Sequence, residues 1–370
     1  MTKKKYLTYK DVDTIIETKN LQYLVMIGQR SNGKSYASKE LAIRKAWKEG
    51  IEFTYLRRRK EDIQDYMIAE YFADMVTPDK DGKTAISKIT RGKYHTISVY
   101  KKGIYLANTD EEGKTTRGLQ IGYAHALSGL EGIKSRQYPK VGYIVFEEFI
   151  ATGLYLWDEP NKMQNYVSSV FRDRPGRVIM IGNTISRVVP YFTEWGLDAV
   201  ARQTQGSCDV YNFTSGDTVT AIGVFMCESL NSNSGMFFGS SAKMITGGLW
   251  DRSDKPKLQG DVDDYNRLYS MVFDYSNTNK FLMTFLQLKT DHTKMIWYVE
   301  PKTTEIQKGT RVISPAVNES RLYTKKFEPI NEREMKILDY FREGKVCYSD
   351  NLTGTEFEKC VSMIGGRKSF

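Results

Sequence analysis

The chain has 370 residues, 40% of them hydrophobic and 12% aromatic, enough for one large domain and a smaller one with separate cores, while its four cysteines and three histidines form no C-x-x-C or H-E-x-x-H and so exclude a zinc or disulfide framework. The start, MTKKKYLTYKDVD, lacks the apolar run of a signal peptide and no stretch approaches the ~18–20 apolar residues of a membrane span, so a soluble protein of a reducing cytoplasm, without membrane partners, is expected. The net charge of +9 is local: residues 1–60 hold 15 Lys/Arg against 6 Asp/Glu and the remainder holds 39 of each, which points to a polyanion partner, nucleic acid above all, or to a solvated basic face.

In chain order, LQYLVMIG (21–28) reads as a buried parallel strand ending in glycine. KSYASKELAIRKAWKEG follows with Ala37, Leu41, Ile43 and Trp47 at roughly helical spacing, closed by Gly50. IEFTYLRRRK predicts a second strand, and EDIQDYMIAEYFADMV a second helix with Ile63, Met67, Tyr71 and Met75 on one face. The order β-α-β-α predicts an α/β domain with a mainly parallel central sheet. From about 86 to 127, alternation in HTISVY and GIYLAN around the turn KKG predicts antiparallel strands on one sheet edge. The core pattern resumes with the strand VGYIVFEEF (141–149), the helix NKMQNYVSSVFRDR, the strand RVIMIGN (177–183) and a helix around 191–203. Residues 205–265, rich in Gly, Ser, Asn and Asp, read as a lid or linker. Beyond 266, three strands, a helix, a strand and a final helix predict a separate α+β domain. The expected boundaries are therefore 1–204, 205–265 and 266–370.

The chemistry concentrates in GQRSNGKS, the spacing G-x-x-x-x-G-K-S between a predicted strand and helix. Such a loop curls successive backbone N–H groups around phosphate oxygens at a helix N-terminus. Gly28, Gln29, Arg30, Ser31, Asn32, Gly33, Lys34, Ser35 and Tyr36 are the expected ATP-binding set, with Lys34 on the β and γ phosphates and Ser35 on Mg²⁺. An apolar strand ending in acid places Glu147 to hold Mg²⁺ and Glu148 to polarise the attacking water, although the usual first acid is the shorter Asp. In P-loop ATPases with a catalytic Glu, an added strand between the first and the acid-bearing strands ends in a polar sensor of the γ-phosphate; Asn183 and Thr184 stand there. In FRDRPGR, Arg172 and Arg174 end a helix where an arginine finger could reach a neighbouring subunit, or where cations simply complement the helix dipole. Arg30 could bind phosphate or pair with Glu147.

GQRSNGKS, TYLRRRKEDI, HALSGLEGIKSRQYPKVGYIVFEEF and VFRDRPGRVIMIGNTIS together resemble the DNA-packaging motor ATPases of small tailed phages, the phi29-like relatives of terminases, over roughly residues 20–200. The resemblance implies an additional-strand P-loop ATPase of the FtsK/HerA kind, acting as a homopentameric ring on the portal of an empty capsid with double-stranded DNA threaded through it. A structural RNA is a further possible docking partner. The ring would work in the host cytoplasm, docked transiently on the procapsid and absent from the mature virion. In such ATPases the loops after the second strand and before the acid-bearing strand face the channel, so Arg57, Arg58, Lys60, Lys134 and Arg136 are the expected DNA contacts. The resemblance further implies an RNase H-like C-terminal domain, thought degenerate in small phages. Nuclease activity there would need three or four converging carboxylates, for which Asp274, Glu300, Asp350, Glu356 and Glu358 are the candidates. A cellular-type ring helicase or DNA pump, a terminase with an active nuclease and a non-hydrolysing nucleotide-dependent DNA binder are the alternatives.

Overall fold

Apolar runs too short for helices become adjacent parallel strands, because a strand buried on both faces needs no polar alternation. The computed structural model describes residues 6–151, 155–184, 189–228, 254–276, 279–316 and 318–365. Two units emerge: one from the described residues of Met1–Ala151, Leu156–Thr184 and Arg202–Leu249, the other from those of Thr152–Tyr155, Ile185–Ala201 and Trp250–Phe370.

Helix α1 (Tyr9–Thr18) opens on a capping box in which Asp11 N donates to Thr8 Oγ1 and Thr8 N donates to Asp11 Oδ2. Strand β1 (Tyr23–Gly28) runs into the glycine-rich loop, and α2 (Lys34–Glu49) leaves it, ending at Gly50 with φ 70°. Next come β2 (Glu52–Arg57), α3 (Asp65–Tyr71), α4 (Ala73–Val76) and α5 (Ala85–Thr90). The single helix expected over 61–76 is thus broken after Tyr71. Its buried face carries Ile68, Phe72 and Met75, whereas Met67 lies half-exposed. β3 (Thr96–Tyr100), β4 (Gly103–Thr109) and β5 (Thr115–Ala126) follow, then α6 (Glu131–Lys134), β6 (Val141–Glu147), α7 (Glu159–Phe171), β7 (Arg177–Asn183) and α8 (Pro190–Glu194). β8 (Cys208–Ser215) and β9 (Thr218–Met226) complete the sheet, whose order is β3-β4-β5-β2-β6-β7-β1-β9-β8.

The six strands from β5 to β9 in that order are parallel, and each edge is finished by antiparallel pairing. β7 lies between β1 and the acid-bearing β6, the additional-strand arrangement expected from the motif order. Parallel strands expose their carboxyl ends along one edge, which gathers Gly28, Arg57, Glu147 and Asn183 at the same end of the sheet.

Two boundaries differ from the sequence reading. Residues 208–226 are strands of the first sheet rather than lid or linker, with β9 paired to β1. The edge strand β8 is largely solvated, so its composition reads as loop, and only Ala221–Val224 and Met226 of β9 are buried. Residues 229–253 of the expected lid lie outside the described residues. The described residues 189–201 belong to the second unit, and the helix expected over 191–203 is the short α8 followed by a 3₁₀ turn at Asp198–Arg202.

The second unit is a six-stranded sheet built from β10 (Tyr265–Asp274), β11 (Lys280–Leu288), β12 (Met295–Pro301), β13 (Val312–Ile313) and β14 (Tyr323–Thr324), followed by α9 (Glu332–Arg342), β15 (Val346–Tyr348) and α10 (Asn351–Gly365). β10, β11 and β12 form an antiparallel meander; β13 and then β14 add in parallel beside β10. β15 adds in parallel on the far side, beside β12. Trp297, Phe273, Phe281, Phe341 and Phe357 fill the core of this unit.

Candidate active site

The glycine-rich loop is shaped by two backbone constraints. Gly33 has φ 92°, and a Cβ there would lie 2.8 Å from Leu7 O. A Cβ on Gly28 would meet Asn32 Nδ2 at 2.6 Å and Cys227 Cβ at 2.9 Å. The segment before α1 therefore lies directly on the loop, and Leu7 N donates to Asn32 O at 3.1 Å. Gly33 caps the 16-residue helix α2 without a side-chain acceptor of its own, and Lys34 N donates instead to Asn32 Oδ1 at 3.5 Å.

That cavity, about 360 Å³, is lined by residues Arg30 to Tyr36 together with Asp74, Glu147, Glu148 and Asn183. Lys34 is 4% exposed, and its Nζ donates to Gly28 O, Gln29 O, Asn32 Oδ1 and, at 3.2 Å, Asn183 Oδ1. Burial lowers the Lys34 pKa from its ordinary value. The Asn32 Nδ2 amide is buried and has no acceptor in the described structure, a donor that an anion in the loop would satisfy. Ser35 Oγ donates to Glu147 Oε2 at 3.1 Å, and Tyr71 Oη donates to Glu147 Oε1 at 2.8 Å. Burial pushes the Glu147 carboxyl above its ordinary range, against the opposing pull of those two hydroxyls. Hard oxygen ligands this close, beside a loop made for phosphate, suit Mg²⁺, which takes one or two protein oxygens and fills its octahedron with phosphate and water.

Glu148 has φ 57° and is exposed, and its Oε2 accepts from Arg57 Nη2 at 2.7 Å. Its left-handed backbone is held by Arg58, whose Nη1 donates to Glu148 O and Nη2 to Phe149 O. Arg58 is also ion-paired with the buried Glu159 at 2.8 Å. Arg58 is therefore not a DNA contact as the sequence suggested: its guanidinium is engaged inside the fold, shaping the turn that presents Glu148. Arg57 likewise faces Glu148 rather than an open track.

Of the two candidate fingers, Arg174 is committed internally. Its guanidinium donates to Tyr138 O, Pro139 O, Val141 O and Val170 O, stapling the end of α7 to the segment that leads into β6. This corrects its reading as a finger, since four carbonyl partners hold it back. Arg172 is exposed, with φ 53° at the C-terminus of α7. Thr184 is buried beside Asn183, Tyr36 is 36% exposed where it lines the cavity, and of the two roles open to Arg30 the cavity-lining position favours phosphate, since Glu147 accepts from Ser35 and Tyr71.

The remaining basic candidates are exposed on two segments that touch at Ser128. Ser128 N donates to Arg58 O and Lys60 N to Ser128 Oγ, which binds the exit of β2 to the segment before β6. Lys60, Lys134 and Arg136 are all exposed there, Lys134 with Glu131 at 2.7 Å. Beneath this segment His125 Nδ1 lies 2.8 Å from Tyr166 Oη, its pKa lowered to about 4 by burial and by Arg136. The residue that sequence reasoning missed is Tyr71. Nothing in its spacing reveals it, because it meets Glu147 across 76 residues of chain.

In the second unit three of the five candidate nuclease acids have partners of their own. Asp274 faces Lys280 at 3.5 Å, Asp350 accepts from Thr353 N and Oγ1, and Glu358 pairs with Lys255 and Tyr348 Oη. Among the described residues no cluster of three or more acids, histidines or cysteines is arranged for a metal, and no helix is long and apolar enough to cross a membrane.

Residues 115–212 match the family described as Podovirus DNA encapsidation protein (Gp16). The chain is similar to phage DNA-packaging proteins. It is 33% identical over 178 residues to the DNA packaging protein of Bacillus phage B103, covering 46% of this chain and 47% of that one. It is 32% identical over 176 residues to the DNA packaging protein of Bacillus phage phi29, covering 46% of each. The chain thus spans about half the length of the curated relatives it matches. A chain of the bacteriophage phi29 viral genome packaging motor assembly superposes with a TM-score of 0.56 at 21% identity, over 95% of this chain and 98% of that one, a likeness of fold. The matched segment 115–212 contains β6, α7 and β7, and with them Glu147, Glu148, Arg172 and Asn183.

Proposed function

We propose that the chain is an ATP-hydrolysing DNA translocase that packages a viral genome into a preformed capsid through its portal, with ATP consumed between subunits of a ring, a pentamer by resemblance. The observation that carries this reading is the meeting of Lys34, Ser35, Glu147, Glu148 and Asn183 at one sheet end, with the exposed cations Lys60, Lys134 and Arg136 on the loops beside it. The similarity to phage packaging proteins supports the choice of duplex DNA as cargo.

In this mechanism the N–H groups of residues 28–35 and the Lys34 ammonium hold the β and γ phosphates, and Asn183 turns its amide toward the γ-phosphate as Lys34 is drawn to the anion. Ser35 Oγ and Glu147 would hold Mg²⁺, which neutralises charge that develops between those phosphates. Glu148 orients and polarises the attacking water once its carboxylate leaves Arg57. Since Arg57 ends the strand that leads to Lys60, DNA held by the loop and the carboxylate held by Arg57 lie on one continuous segment. Arg172 neutralises the γ-phosphate of the adjacent subunit. The ring acts in the host cytoplasm while docked on the procapsid.

A motor that slides must grip phosphates rather than base edges, because base readout would pin it in register. Alanine at Lys60, Lys134 and Arg136 together is expected to lower the slope of log affinity against log salt by about 0.9 for each DNA phosphate no longer neutralised, equally on unrelated duplexes. Duplex-stimulated phosphate release should fall in parallel. An unchanged slope with stimulation intact would move the DNA track to another surface.

A further inference from the structure

Glu147 is 6% exposed, and its two carboxylate oxygens accept from different hydroxyls, Oε2 from Ser35 and Oε1 from Tyr71. The first belongs to the phosphate loop. The second comes from the last residue of α3, whose ring is held from two sides. Its ring stacks on Tyr55 with centroids 4.3 Å apart and 24° between planes, and Lys39 Nζ lies 4.5 Å over its face. Lys39 is itself fixed by Tyr71 O at 2.7 Å and by both oxygens of Asp74 at 2.6 and 2.7 Å. A ring clamped this way presents its hydroxyl in one direction, and that direction is the Glu147 carboxylate.

We infer that Tyr71 is a positioning residue for divalent-cation binding: its hydroxyl fixes the rotation of the Glu147 carboxylate so that Oε2, the oxygen on the Ser35 side, faces the cation. The inference rests on the proposed role of Glu147 at the metal. A buried carboxylate that loses one of two hydroxyl donors can swing about its terminal torsion, which has broad and shallow wells, so the cost falls on orientation rather than on packing. The Tyr55–Tyr71 stack extends the same support toward Arg57, since Arg57 Nη1 approaches Tyr55 Oη at 3.4 Å. One aromatic pair thus stands behind the partners of both glutamates.

The test is Tyr71→Phe in the full chain, which keeps the stack and removes only the hydroxyl. Binding of a fluorescent ATP analogue is measured in EDTA and across a Mg²⁺ titration. Affinity in EDTA is expected to match wild type, while the Mg²⁺ concentration for half of the metal-dependent gain rises roughly tenfold. In a Glu147→Gln background the same change should add little, because the two residues act as a unit. An unchanged Mg²⁺ midpoint in folded Tyr71→Phe, or an equal shift on both backgrounds, overturns the inference. Should Tyr71→Phe not fold, Tyr55→Leu, which removes the stacking support and leaves the hydroxyl, is expected to raise the midpoint by a smaller factor, and no rise overturns it. Absence of any Mg²⁺-dependent gain in the wild-type chain would instead reject the metal role of Glu147 and the inference with it.

Discussion

Lys34→Ala is expected to abolish ATP binding and to lower turnover by at least about a thousandfold, because the transferred phosphoryl group needs positioned charge and little else from the protein. The ammonium is held at the centre of the loop by Gly28 O, Gln29 O and Asn32 Oδ1, so its removal leaves a cavity whose remaining partners are acceptors that repel phosphate. Glu148→Gln is expected to behave differently. The amide keeps the shape, so nucleotide affinity stays near wild type, but it cannot accept a proton from the attacking water, and turnover falls by about 10²–10⁴. Filter binding of ATP and phosphate release read the two effects separately. Normal hydrolysis by Glu148→Gln would pass the water-polarising role to another group, and tight ATP binding by Lys34→Ala would remove the loop from the mechanism.

The second large effect belongs to Arg172. A finger supplied across a subunit boundary is worth about 10³–10⁵ in turnover, so Arg172→Ala is expected to be nearly inactive while it binds ATP. Mixed with Glu148→Gln subunits it should recover part of the activity, since some interfaces then pair an intact Glu148 with an intact Arg172. Arg174→Ala should fail in another way. It leaves the carbonyls of Tyr138, Pro139, Val141 and Val170 without their donor, and its expected signature is a loss of about 3 kcal/mol in stability, read by denaturant unfolding. Rescue of Arg174→Ala but not of Arg172→Ala by mixing would exchange the two roles.

The residues that sequence reasoning placed well share a physical property: their chemistry is local. A strand, a phosphate loop and a helix follow one another between Tyr23 and Glu49, and the run Val141–Glu147 carries its acid at its own end, so spacing alone aligns them. The place of β7 between β1 and β6 was legible from motif order. Arg58 was not, because four consecutive cations look alike until the fold supplies Glu159 across 101 residues and buries one of them. Tyr71 was invisible for the same reason. The hairpin β8–β9 was hidden by its position, since an edge strand exposed along most of its length has a loop-like composition. Helix α1 went unread, because its capping box of Thr8 and Asp11 lies in a short segment whose basic residues dominate its composition.

The most direct measurement of the central claim is protection of labelled duplex DNA from nuclease when the protein, ATP and portal-bearing empty capsids are combined. The predicted result is protection that requires ATP, is lost with Glu148→Gln and leaves the strands paired. ATP-dependent strand separation, or duplex-stimulated phosphate release with no protected DNA at any capsid ratio, would contradict it.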